Sequence, residues 1–109
     1  MSYRLQRAPG VEQSIERLAA TDLDGARLVT AAILALAGDP RPAGVHVLNE
    51  AECLHRVHLA RLDPDTRRNL QYRVMYRIED ADLVVIVITA AALPPPAADA
   101  RVEPDRRLS

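Results

Sequence analysis

Two short stretches place cations at strand spacing. In Leu54-His-Arg-Val-His-Leu59, Arg56 and His58 are two residues apart; in Tyr72-Arg-Val-Met-Tyr-Arg-Ile78, Arg73 and Arg77 are four apart. On an extended backbone successive side chains point to opposite faces, so each pair shares one face. Val57 and Leu59, and Tyr72, Val74, Tyr76 and Ile78, take the other. The chemistry such a cationic face offers is the binding of an anionic ligand. The same residues also fit an ordinary solvated strand surface. Arg77 has acidic neighbours in Glu79 and Asp82, and a surface pair of that kind is worth at most about 1 kcal/mol.

Other chemistry is poorly served. His55 and His58 fall on opposite faces of a strand, so they do not make a metal pair. Cys53 is the only cysteine; it allows no intrachain disulfide and has no evident catalytic partner. Tyr72 and Tyr76 share their face with Val74 and Ile78 and read as core. With neither Phe nor Trp in the chain, aromatic platforms for stacking bases are scarce.

The chain has 109 residues, enough for one domain with a real core. Its apolar share of 49% argues against wholesale disorder. All 14 basic residues are arginine, and the net charge is −1. That balance excludes a globally basic nucleic-acid binder but not a local basic face. From Leu54 to Ile78 six arginines face two acids, whereas from Val11 to Ala37 four acids face two arginines. One basic segment thus sits on an otherwise acidic domain. The apolar run Leu83–Ile88 is only six residues, against about 20 for a membrane span. Arg4, Gln6 and Arg7 interrupt any secretion-signal core, so a cytoplasmic setting is expected.

The elements that must position the cations follow from periodicity. Tyr3–Ala8 alternates as a first strand before Pro9-Gly10. Val11, Ile15, Leu18 and Ala19 then form a helical stripe. Asp22 is a plausible N-cap for a second helix, whose stripe is Ala26, Val29, Ile33, Leu36 and Ala37 before Gly38 and Asp39-Pro40. Short connections make the two a helical hairpin. Strands are expected at Val45–Leu48, Leu54–Leu62, Leu70–Glu79 and Leu83–Thr89, the last apolar on both faces as a central strand would be. The last two long strands form an antiparallel hairpin. Residues 1–93 are then one domain, and the Pro/Ala/Arg-rich residues 94–109 a mobile tail, since three consecutive prolines forbid a helix there. The fold class is α+β: an N-terminal strand, a helical hairpin, then a three- to four-stranded antiparallel sheet packed on the helices.

The segment Tyr72–Ile78 with its acidic turn and Leu83–Ile88 resembles the signature hairpin of the RelE/ParE toxin superfamily. Leu36-Ala-Gly-Asp-Pro-Arg-Pro42 is similar to that family's connector, and Leu54–Leu59 to its basic strand. The resemblance spans Tyr3 to about Thr89. It implies the toxin of a type II toxin–antitoxin pair, with a cognate antitoxin as partner, no membrane association and no cofactor or metal. RelE-like members cleave mRNA in the ribosomal A site; ParE-like members inhibit DNA gyrase by protein–protein binding. A non-catalytic member would only bind an antitoxin-like partner. Fold alone does not separate these.

On the RelE-like reading, Arg73, Arg56 and His58 match catalytic positions. Attack of the 2′-OH on the adjacent phosphorus needs a base, cations around the phosphoryl charge and an acid at the leaving oxygen. Arginine's planar fork suits the cationic task, and histidine, which titrates near neutrality, suits proton transfer. Arg77, Arg61, Arg67 and Arg68 are the further expected RNA contacts. One departure stands out. RelE-like nucleases carry a basic residue just after the last strand and a tyrosine a few residues later. Here that stretch reads Thr89-Ala-Ala-Ala-Leu-Pro-Pro95, with no Arg, His, Lys or Tyr until Arg101. Arg101, Arg106 or Arg107 folding back is one way to supply the cation.

Overall fold

The computed structural model describes residues 2–94. The tail from residue 95 onward, with Arg101, Arg106 and Arg107, lies outside the described residues. Seven elements follow in order: β1 Arg4–Arg7, α1 Val11–Thr21, α2 Leu23–Ala35, β2 His46–Asn49, β3 Leu54–Leu62, β4 Asn69–Glu79 and β5 Val84–Ala92. They form a helical hairpin packed on one five-stranded sheet of order β1-β5-β4-β3-β2. The sheet is therefore larger than the strands after the helices alone. β1 returns to pair with β5, in parallel, Arg4 opposite Val84 and Arg7 opposite Val87. All other pairings are antiparallel.

The helices begin and end where local chemistry demands. Gly10 precedes α1 with a φ of 91°, a left-handed turn that favours glycine. Asp22 leaves helical geometry at the end of α1 and caps α2, its side chain accepting from the Gly25 N–H at 2.9 Å. α2 stops at Ala35, two residues before the expected end. There the amides of Leu36, Ala37 and Gly38 bond three residues back, to Ile33, Leu34 and Ala35, tightening the last turn before Pro40.

The core lies between the hairpin and one sheet face. Val11, Val29, Ile33 and Leu36 meet Tyr72, Val74, Tyr76, Ile78, Val85, Val87 and Ala90. From Tyr72 to Ile78 the even-numbered residues of β4 are buried on this side, while Arg73, Met75 and Arg77 alternate to the other. The tyrosines carry polar tips into this core and satisfy them: Tyr76 Oη donates to the Pro40 carbonyl at 2.7 Å, and Tyr72 Oη to Asp22. β5 runs three residues beyond Thr89. Ala90 pairs with Val74 and is buried, so the strand continues although alanine is a weak strand former.

Candidate functional site: the open sheet face

The face opposite the helices is built by β3 and β4, and their register decides what meets there. His58 pairs directly with Arg73, Arg56 with Met75, and Leu54 with Arg77. On the flanks, His46 of β2 pairs with Arg56. From β5, Ala91 stands opposite Arg73, Thr89 opposite Met75 and Ile86 opposite Arg77. A register shift between Met75 and Tyr76 leaves an extra β5 residue at Ile88, a bulge in the middle of this face. The result is a ladder of basic side chains in three successive rows: His58 with Arg73, then His46 with Arg56, then Arg77.

Arg56, Arg73 and Arg77 are half-buried and His58 is exposed. Directly opposed residues in an antiparallel pair have Cβ atoms about 4.5–5.5 Å apart, so one phosphate can reach both the His58 ring and the Arg73 fork. The ring has a partner: His58 Nε2 lies 2.9 Å from Gln71 Oε1, which holds the imidazole against the sheet. Ala91, the β5 residue opposite Arg73, adds only a methyl group beside it.

Among the described residues none of these three arginines is in a salt bridge. The nearby carboxylate of Asp80 is committed elsewhere, to Arg41 at 2.8 Å and to the Tyr3 hydroxyl at 2.7 Å. Its hydrogen bond from Arg41, then that from Tyr3, brings its pKa down to about 2. Arginines without ion pairs on one face give it the positive potential that an anion-binding surface requires.

The remaining expected contacts lie apart. Arg61 is on the helix side of β3, where its Nε donates to Tyr72 Oη at 3.1 Å and its guanidinium pairs with Asp22 at 2.5 Å. Burial opposes ionisation of Asp22, but hydrogen bonds from Tyr72, Gly25 and Arg61 outweigh it and lower its pKa. Arg67 and Arg68 sit exposed in the β3–β4 turn. That turn is closed by Asp63 N–H to the Arg68 carbonyl at 2.8 Å, with Arg67 in a left-handed conformation at φ 62°. His55 points to the core side, donates from Nδ1 to the Cys53 carbonyl at 2.8 Å and stacks on Tyr76.

Gln71 and His46 were missed by sequence reasoning. Gln71 does share the alternation of Arg73 and Arg77, a signal that could have found it. His46 becomes part of the face only through the β2–β3 register.

No family model and no curated protein sequence matches the chain. Solved structures do. The isolated RelE toxin of E. coli superposes with a TM-score of 0.63 at 15% identity, covering 89% of this chain and 90% of that one. The RelBE2 toxin–antitoxin complex of Mycobacterium tuberculosis gives a TM-score of 0.60 at 17% identity, with 85% and 100% covered. The archaeal RelE–RelB complex of Pyrococcus horikoshii gives 0.59 at 17%, with 84% and 96% covered. The helical hairpin on a five-stranded sheet is therefore the RelE-like α+β toxin fold.

Proposed function

We propose that this chain is the toxin of a type II toxin–antitoxin pair and that it inhibits translation by cutting mRNA on the ribosome. The observation that carries the reading is the direct opposition of His58 and Arg73, with Arg56 one row away, on a face without ion pairs among the described residues. In the reaction the 2′-oxygen forms a bond to the adjacent phosphorus and the bond to the 5′-oxygen breaks. The 2′-OH proton passes to a base, and the leaving oxygen takes one from an acid. The products are a 2′,3′-cyclic phosphate and a 5′-OH. Arg73 and Arg56 stabilise the extra charge on the phosphoryl oxygens. His58, oriented by Gln71, is the residue able to move a proton. Few aromatic side chains are free for stacking, so the ribosome presents the substrate and the protein grips phosphates. The setting is the cytoplasm; among the described residues no helix is long and apolar enough to cross a membrane.

The partner in this reading is an antitoxin. Two of the matching structures are RelE-type toxins bound to RelB-type antitoxins. A helix in a groove or a strand at an edge, bearing acids toward Arg56, Arg73 and Arg77, would block the site.

A second reading is favoured by one feature. Positions 89–92, beside Arg73, are Thr-Ala-Ala-Ala and supply no cation. A gyrase inhibitor or a module that only binds an antitoxin needs none. The two are separated by purified protein on mRNA-programmed ribosomes. New 3′ ends bearing 2′,3′-cyclic phosphate support the nuclease. Intact mRNA with gyrase inhibition supports the alternative.

A further inference from the structure

Arg56 and Arg77 share a property that the nuclease reading leaves unused. The Nε of each is shielded from solvent and has no hydrogen-bond partner. They are diagonal neighbours across the β3–β4 ladder, because Arg77 faces Leu54 and Arg56 faces Met75. Diagonal pairs lie about 7–8 Å apart, within reach of long side chains. Two buried N–H donors without acceptors are unfavourable, so neither side chain is fully satisfied within the protein. Two guanidinium groups so close repel each other unless an anion sits between them.

The face around them is prepared for such an anion. Ile86 and Thr89, the β5 residues opposite Arg77 and Met75, are uncharged. Glu79 follows Arg77 on the same face but makes no ion pair with it. Asp80 is held by Arg41 and Tyr3. A ligand with several acceptor oxygens at one centre can take the terminal N–H groups of both guanidinium groups together, which a phosphodiester does.

Resting on the ribonuclease reading above, we propose that Arg56 and Arg77 hold a second phosphate of the same RNA strand, next to the one between His58 and Arg73. The strand geometry supports the spacing. Along the strands Arg56 lies about 6.6 Å and Arg77 about 13 Å from the His58–Arg73 row, so side chains reaching toward each other from these two rows can meet the next phosphate of an extended single strand. Arg56 then bridges the two subsites. Met75, between Arg73 and Arg77, offers a soft apolar surface to the ribose or base between the two phosphates. The RNA runs along β3 and β4, not across them.

The test uses the full chain and a short fluorescent RNA whose attacked 2′-OH is replaced by hydrogen. Single phosphates are neutralised one at a time as methylphosphonates, and anisotropy is followed against salt. For the wild type, neutralising either of two consecutive phosphates weakens binding several-fold. Arg77→Ala loses the response at the second phosphate and keeps it at the first. Its salt slope falls by about 0.7. Arg77→Gln, which keeps a donor without charge, loses the same slope, and thermal unfolding checks both variants. The proposal is overturned if Arg77→Ala answers every methylphosphonate as the wild type does. It is also overturned if the wild type binds no RNA at low salt, or if an acidic peptide of equal charge binds with the same dependence on Arg77. Programmed-ribosome cleavage with no Arg77-dependent phosphate leaves the nuclease standing and removes the second subsite. The Arg77-dependent phosphate without cleavage does the reverse.

Discussion

His58 stands directly opposite Arg73 in the β3–β4 ladder, on the sheet face turned away from the helices. An imidazole and a guanidinium are thus cross-strand neighbours, fifteen residues apart in the chain. Gln71 holds the imidazole from two residues further along β4. Gln71→Ala removes that contact, worth about 1 kcal/mol, and should slow ribosome-dependent cleavage roughly fivefold with little change in melting temperature. Gln71→Glu keeps the acceptor oxygen and should retain more activity than Gln71→Ala. Equal losses in the two variants would remove Gln71 from a positioning role.

Gly25 is expected to reject any side chain. A Cβ there would collide with the Asp22 carboxylate and the Tyr72 hydroxyl, the junction that ties the start of α2 to β4. In an open helix Gly→Ala gains about 1 kcal/mol. Overpacking here costs about 1–3 kcal/mol, so Gly25→Ala should melt below the wild type. Denaturant titration measures the sign.

Arg61 and Arg77 should part company. Arg61 is spent on Asp22 and Tyr72 on the helix side, and Arg77 is unpaired on the open face. Arg61→Ala is expected to lower the melting temperature and leave the salt slope of RNA binding unchanged. Arg77→Ala is expected to do the opposite. Thermal unfolding and the salt titration read the two effects separately.

Two pH limbs follow from the polar contacts of Asp80, Asp22 and Tyr76. Hydrogen bonds from Arg41 and Tyr3 lower Asp80 to about 2 from an ordinary 3.8, and Asp22 is also lowered. A depressed carboxylate stabilises the fold above its unfolded pKa, and that stability is lost as pH falls through the folded value. The acid limb should therefore lie below pH 4, and Asp80→Asn should flatten it. At the other end, burial raises Tyr76 to about 12 from 10.0. Its contribution is complete below pH 10 and lost as pH rises toward 12. Tyr76→Phe should remove that alkaline slope. Unfolding free energy measured across both ranges checks the signs.

Much of the scaffold was legible because it is written in periodicity. β3 runs from Leu54 to Leu62 as its alternation predicts, and Asp22 caps α2 as its residue type predicts. Other features depend on long-range contacts. Alanines 90–92 and the proline beyond them read locally as the start of a tail, yet Ala90 fits under Val74 and extends β5. The parallel seat of β1 beside β5 leaves no local trace. Alternation told which cations share a face. It did not give the register, so the opposition of His58 and Arg73 emerged only with the pairing of whole strands. The partner of Arg61, thirty-nine residues away at Asp22, was hidden for the same reason.

The central claim is that Arg73 acts on RNA during translation. Induced expression of the wild type beside Arg73→Ala in a bacterial host, with mRNA 5′ ends mapped, tests it most directly. The account predicts growth arrest with new cuts inside translated frames, both lost in a folded Arg73→Ala. Arrest without cuts, or cuts that persist in that variant, would contradict it.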